Sequence, residues 1–425
     1  MSTQPPISYS SRPTLRVNLE NLRYNYEALK KRVGAAKIGA SVKADAYGLG
    51  AVQVGRALYG AGCRIFFVAT AGEGKILRDA IGPNGAIYVL NGPSPRDKGV
   101  LLGAKLKPVI NSLAQAHQWA DVASSVNEPP YTAIHIDTGM NRLGFDADEF
   151  AVFAKDRKLW QTLNPEWVMS HLACAPDKDH PLNKTQLTRF KKAAAQLPVT
   201  QMSLANTAGI YLGKPYHFQM VRPGIGLYGG YATNEPAQED TRPVVTLLAP
   251  ILQIRDIAKG ESLGYNASYT APRDMRVAVI GAGYADGIPV LESNKGYATL
   301  HDAKVPIVGR VSMDLTTVDI TDVHLPKQVG GVVVFRGDQL SVEAESIGSI
   351  NYEMLTRLGQ RCRRDYGKPE GKEEGGQKAR PSSRGPQSKG KPQSGFKPRP
   401  KPRTQSKSKS GAHGASSFRS KPKPR

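Results

Sequence analysis

Cysteine is scarce in this chain. Cys63, Cys174 and Cys362 are the only three in 425 residues. Their odd number and wide spacing exclude a disulfide framework and a zinc-type ligand set, and they fit a reducing compartment. Long apolar runs are missing too, with none near the roughly 20 residues of a bilayer-spanning helix. The first residues, Met1-Ser2-Thr3-Gln4-Pro5-Pro6, lack the charged-then-apolar order of a secretory signal. These absences predict a cytoplasmic protein with no transmembrane segment and no metal. Acidic residues are also few, 36 against 58 Lys/Arg, for a net charge of +22. Taken over the whole chain, that balance would point to a polyanion partner. The excess is local, however. Residues 367–425 carry 17 Lys/Arg against 3 Asp/Glu, a net of +14, which leaves +8 for residues 1–366.

That terminal stretch is Lys, Arg, Pro, Ser and Gly with almost no aliphatic residues. It cannot bury enough apolar surface to offset its chain entropy, so a disordered tail over 367–425 is expected. Phe396 and Phe418 are its only aromatics, which provides poorly for base stacking. Salt-sensitive binding to a nucleic acid or an anionic membrane is one reading. A solvated extension with no specific partner is the preferred one.

The remaining length exceeds what one core usually serves, so two folded units are expected. Apolar runs begin near Ile38, Ile65, Ile87, Pro108, Ala133, Trp167, Met202 and Phe218. Helix-length amphipathic segments, such as residues 50–59, 113–122, 149–160 and 184–196, lie between them. Eight strands alternating with helices predict an α/β fold, a TIM-type (β/α)8 barrel, over residues 12–242. A doubly wound open sheet is the alternative, but no Gly-rich dinucleotide turn follows the first run. After Arg242-Pro243 the pattern changes. Residues 244–254, 275–280, 304–308 and 332–335 are β-branched runs separated by Gly, Asp and Asn, and a helix is expected near 346–358. Residues 243–366 are therefore expected to form a mostly-β C-terminal domain.

Barrel chemistry sits at the C-terminal ends of the strands. The first run leads into Lys43, followed by Tyr47. A lysine in a low-dielectric barrel mouth loses basicity and becomes a usable nucleophile. Seen alone, it reads far more readily as an ordinary solvated lysine at a strand end. The run through Ile136 leads into Asp137 and then Arg142. That guanidinium could clamp a carboxylate, or form a structural pair with Asp137 or Asp146. His171 follows the run from Trp167. Asn206 and Thr207 open a helix after the run from Met202, where a phosphate is often held, although a plain helix cap reads the same way. The last run ends in Arg222-Pro223-Gly224-Ile225-Gly226. In the second domain Tyr284 sits in a Gly-rich turn, followed by Arg310-Val311-Ser312-Met313-Asp314 and by Tyr352-Glu353.

In this order and on this architecture, the segments around Lys43, Arg142, Arg222 and Tyr284 make residues 12–365 similar to the alanine racemases. The resemblance implies a pyridoxal-phosphate enzyme that interconverts L- and D-alanine and supplies D-alanine for peptidoglycan. It implies that Lys43 holds the cofactor covalently and acts as base for the D-enantiomer. Tyr284, from the partner subunit, would act on the opposite face for the L-enantiomer. Tyr47, Asn206, Thr207, Gly224, Ile225 and Tyr352 would bind the cofactor, chiefly its phosphate. His171 and Arg222 would link the tyrosine to the pyridine nitrogen. Arg142 and the partner's Met313 would hold the substrate. Because sites would be shared, the resemblance implies a head-to-tail homodimer. The chain departs from the family at His135, where many members carry a carbamylated lysine that orients the arginine matching Arg142. The competing readings are a racemase of serine, lysine or several amino acids, and a non-catalytic pyridoxal-phosphate carrier.

Overall fold

A computed structural model describes residues 12–367 except 236–239, 302, 325–330 and 336–339. The N-terminal residues considered for a signal, and the basic tail beyond 367, lie outside the described residues.

Eight strands close into a parallel barrel: β2 (Lys37–Ser41), β3 (Ile65–Val68), β4 (Ala86–Val89), β5 (Lys107–Ile110), β6 (Thr132–His135), β7 (Pro165–Met169), β8 (Met202–Asn206) and β9 (Met220–Arg222). β9 pairs back onto β2 through Lys37↔Met220 and Ile38↔Val221. These are the eight runs expected from sequence, and they are legible for a physical reason. A parallel strand buried on both faces reads as a continuous apolar run. Short polar residues then turn strand into helix. The side chains of Thr70, Ser112 and Asp146 accept the amides of Glu73, Gln115 and Glu149, satisfying donors that a helix start leaves open. Inside the barrel, Phe67, Tyr88, Val109, Ala133, Trp167, Met169 and Met220 pack into a plug. The barrel is therefore a core with one usable mouth.

The second domain is mostly β. Its central strand β10 (Val245–Ile257) changes partners at an irregularity between Ile251 and Gln253. Its first half pairs with Val332–Phe335, and its second half with Met275–Ile280. One strand of this sheet comes from far away in sequence. β1 (Thr14–Val17) pairs antiparallel to β10 and parallel to Arg363–Asp365, so the chain enters the β domain before it builds the barrel. The single helix expected near 346–358 is corrected to two, Leu340–Ser346 and Asn351–Thr356. The chain turns between them through Gly348 at φ +70°, a conformation that other residues adopt only with strain. The segment expected as one helix over 149–160 likewise divides at Asp156, whose carboxylate caps the second piece by accepting the Leu159 amide.

The β domain braces the barrel mouth. Arg364 donates to the Gly48 carbonyl at 2.9 Å, and the Tyr366 hydroxyl donates to Leu49 O at 3.0 Å. Both contacts fall on the loop that follows Lys43. No helix among the described residues is long and apolar enough to cross a membrane.

Candidate active site

Lys43 stands two residues beyond β2 and opens a short turn, Lys43–Tyr47. Ala44, Asp45 and Ala46 have φ between 52° and 54°, and Tyr47 has φ 57°. A left-handed stretch of L-residues costs roughly 1–2 kcal/mol per residue, so something must hold it. Asp45 Oδ1 accepts the Ala51 amide at 2.7 Å. Glu73 accepts the Ala44 amide at 3.0 Å through one oxygen and the Ala69 amide at 2.7 Å through the other. The turn is thereby pinned to the end of β3, and it brings Lys43 and Tyr47 to one cavity.

That cavity, of about 660 Å³, lies at the C-terminal mouth of the barrel. Lys43, Tyr47, Arg142, His171, Asn206, Thr207, Arg222, Gly224, Ile225 and Tyr352 all line it, as does His135. Burial and then the nearby Arg142 cation lower the Lys43 pKa, with Glu73 opposing weakly. An amine so placed is easier to deprotonate and a better nucleophile. Burial, reinforced by Arg222, Arg142, His135 and Lys43, holds His171 well below the usual imidazole range. Burial with Arg222 and Arg142 pushes His135 down to about 3. Both imidazoles are neutral at physiological pH and able to accept a hydrogen bond.

Arg222 is buried, and burial lowers its pKa. Its guanidinium donates to the Ser203 hydroxyl and to the Ser170 carbonyl, both at 2.5 Å. These partners are neutral, so its charge reaches the cavity uncompensated. Arg142 is exposed at the mouth. The structural pairing with Asp137 or Asp146 does not form. Asp137 accepts the amides of Gly139, Met140 and Asn141 at 2.8–2.9 Å, and Asp146 caps Glu149. Asp137 instead shapes the loop from which Arg142 projects. His135 Nδ1 lies 2.8 Å from Asn111 Oδ1, while the Asn111 amide nitrogen donates to the Leu90 and Val109 carbonyls. Asn111 thus fixes the imidazole with its proton on Nδ1 and the Nε2 lone pair free.

Thr207 Oγ1 accepts the Gly224 amide at 2.9 Å and the Gly226 amide at 3.4 Å. With both lone pairs engaged, the hydroxyl proton is left to donate into the cavity. The backbone approach at Gly224 is close: a Cβ there would lie 2.2 Å from the Tyr47 hydroxyl. Asn206 lines the cavity, but its Oδ1 is committed to capping Gly209 N at 2.9 Å. Tyr352 stands 6.2 Å from Tyr47, ring centroid to centroid.

Tyr284 and Met313 do not line this cavity. Both are exposed, 45% and 53%, on a separate ridge of the β domain. The two are joined there: the amides of Tyr284 and Ala285 donate to the carbonyls of Ser312 and Met313, each at 3.0 Å.

Sequence reasoning missed Glu73, which pins the Lys43 turn, and Asn111, which sets the His135 tautomer. It also missed Gln186, which donates to the His171 carbonyl at 2.9 Å and accepts the Ala173 amide. Asn111 follows strand β5 directly, so the strand-end rule could have nominated it. The Thr70-x-x-Glu73 spacing of a capping box marks Glu73 as a helix-start residue but not its reach to Ala44, and no sequence signal singles out Gln186.

Residues 17–232 match the alanine racemase N-terminal domain model, and residues 244–366 match the C-terminal one. Alanine racemase of Rhodospirillum rubrum is 43% identical over 83% of this chain and 95% of its own length. The catabolic alanine racemase of Agrobacterium fabrum is 41% identical over 84% and 92%. The crystal structure of Bartonella henselae alanine racemase, solved with covalently bound pyridoxal phosphate, superposes with a TM-score of 0.79. It shares 36% identity, over 84% of this chain and all of that one. With two domain models matched in order and relatives aligned over nearly their whole length, this chain belongs to the alanine racemase family of isomerases.

Proposed function

We propose that the chain interconverts L- and D-alanine with pyridoxal 5'-phosphate, using Lys43 on one face of the substrate Cα and the partner subunit's Tyr284 on the other. One observation carries this reading. An amine of lowered basicity shares its cavity with two hydroxyls, Tyr47 and Thr207, beside backbone that only Gly224 lets so close. That donor set fits the cofactor. Lys43 would hold it covalently, and Tyr47, Thr207, Tyr352 and the backbone at Gly224 and Ile225, with Asn206 alongside, would surround its phosphate. When bound, the cofactor supplies an electron sink that makes the substrate Cα–H acidic.

The residues do the rest. Arg142, with neither nearby carboxylate available to it, would bind the substrate carboxylate, with the partner's Met313 closing that end. Arg222 would face the pyridine nitrogen as a donor and disfavour a proton there, which weakens the sink and limits the chemistry to proton exchange. His171, kept neutral, would relay between Arg222 and the tyrosine. Racemisation needs a proton removed from one face and returned on the other. A base fixed on each face does this without turning the substrate. Tyr284 lies outside its own chain's cavity, and exposed apolar Leu252, Leu291, Met313 and Leu315 lie on the same domain, as expected of a surface that a second copy covers. A homodimer with two shared sites follows from this. The working division is a cofactor-holding barrel over 12–242, a domain over 243–366 that reaches the partner, and a tail over 367–425 without a specific partner. A cytoplasmic supply of D-alanine for peptidoglycan is the role this chemistry fits.

The test is the absorbance of the pure protein before and after borohydride, with the reduced label mapped by mass spectrometry. A label on Lys43, together with L-to-D turnover, is the expected result. A colourless protein, or a label elsewhere, would remove the reading. Absorbance without turnover would favour the carrier.

A further inference from the structure

The turn that carries Tyr284 is a single 3-10 turn, Tyr284–Asp286, too short to hold its own shape. Its Asp286 carboxylate is completely buried. Asp286 Oδ2 accepts the Gly283 amide at 2.9 Å. Arg361 closes on the same carboxylate with two arms, Nε to Oδ1 and Nη2 to Oδ2, both at 2.8 Å. Its third arm, Nη1, donates to Asp314 Oδ1 at 2.6 Å, next to Met313, and Nη2 also reaches the Met313 carbonyl at 3.5 Å. One planar guanidinium therefore ties the Tyr284 turn to the Met313 loop. Only a fork with donors in fixed directions can span both carboxylates in this way; an ammonium supplies a point charge instead.

We propose that Arg361 is a positioning residue that acts across the dimer, holding Tyr284 and Met313 in register for the partner subunit's cavity. The proposal rests on the shared-site reading above. Its physical basis is the buried Asp286 carboxylate. Without Arg361 that carboxylate keeps only the Gly283 amide and the weak donor of the Cys362 thiol at 3.8 Å, and it must then take up a proton or drag the turn toward water. Either response moves the Tyr284 hydroxyl, and proton transfer tolerates little displacement. The fork sits just past the helix Asn351–Thr356, whose Tyr352, Glu353 and Thr356 line this chain's own cavity. One short segment thus serves the local site through Tyr352 and the distant site through Arg361.

Two variants test it, Arg361→Gln and Arg361→Lys. With Arg361→Gln, kcat should fall about 10- to 100-fold while the cofactor absorbance stays unchanged, since a displacement near 1 Å can cost that much. Arg361→Lys should recover part of the loss, and it carries the test if the glutamine variant does not fold. Amide exchange at Tyr284 and Ala285 should quicken in both. The isotope effect of Cα-deuterated alanine should rise with the L-enantiomer and not with the D-enantiomer, because Tyr284 takes the Cα proton only from the former. The deciding experiment pairs each variant with Lys43→Ala in a purified hybrid dimer. Lys43→Ala with Arg361→Gln should regain about half the wild-type rate, since one of the two symmetry-related sites then combines an intact Lys43 with an intact fork. Lys43→Ala with Tyr284→Phe is the control. If the control regains activity and the Arg361 hybrid does not, Arg361 acts within its own chain and the proposal falls. If the control also stays dead, the shared-site reading fails first and takes the proposal with it.

Discussion

The barrel mouth and the Tyr284 ridge solve different problems. At the mouth, ten of the residues nominated from sequence converge on one cavity, where burial shifts Lys43, His171 and Arg222 from their ordinary basicity and neighbouring cations add to the shift at Lys43 and His171. The ridge holds the other two, Tyr284 and Met313, in the open. A site made by the mouth alone can bind and polarise. On the proposed reading, Tyr284 is a base kept outside its own cavity, useful only to another. That reading divides chemistry and assembly between a pre-shaped pocket and an exposed ridge whose two loops are bonded to each other.

The largest effects should separate the two regions. Lys43→Ala should abolish racemisation and the cofactor absorbance together. Tyr284→Phe should lower L-to-D turnover by roughly 10²–10⁴-fold, the usual worth of a positioned base, and leave the absorbance in place. If both variants lost the absorbance, the division between mouth and ridge would be wrong. Next in size, Arg142→Ala should lower kcat/KM for alanine about 10- to 100-fold, as expected when a charged hydrogen-bonding partner of the carboxylate is removed. That loss should appear mainly in KM, which steady-state kinetics would show.

A smaller effect concerns acid. His135 is pushed down from the ordinary 6.5 to about 3, and His171 lies well below 6.5. Between those values and 6.5 the unfolded chain binds protons that the folded chain refuses. Stability is therefore greatest above about pH 6.5 and falls as pH drops below it, by up to about 2 kcal/mol at pH 5 for His135, with His171 acting in the same direction. Urea unfolding at pH 7 and pH 5 should show this, with His135→Asn losing less on acidification than the parent. An equal loss in the variant would mean that His135 is not held neutral. The smallest effect belongs to the tail. Truncation after Tyr366 should leave kcat and KM unchanged, and a loss would show that the folded boundary lies further on.

Much of the mouth was legible because strand ends can be read from where apolar runs stop, and a barrel sends those ends to one place. Ile38, Trp167 and Met202 announced Lys43, His171 and Asn206 in this way. The supporting contacts were not legible. Glu73 meets Ala44, and Gln186 meets the His171 carbonyl, only because helices pack at particular angles, which periodicity does not encode. The placement of β1 in the second sheet depends on partners distant in sequence, whereas the break at Gly348 is a local helix stop of the kind glycine favours. Nor could residue order show that Tyr284 faces away from its own cavity.

The placement of β1 bears on how the protein is made. Thr14–Val17 occupies the slot between β10 and Arg363–Asp365. A ribosome delivers β1 near the start of elongation and its neighbour Arg363–Asp365 only after the whole barrel and β10, on the order of tens of seconds later at ordinary synthesis rates. Every barrel strand emerges in that interval, so the barrel can close while the earliest strand still waits. Until residues 363–365 appear, β1 has an unpaired edge, the kind of surface that templates misassociation. The last strand therefore acts as a seal of completeness: a nascent chain halted just short of it keeps an open seam in the β domain, beside a finished barrel.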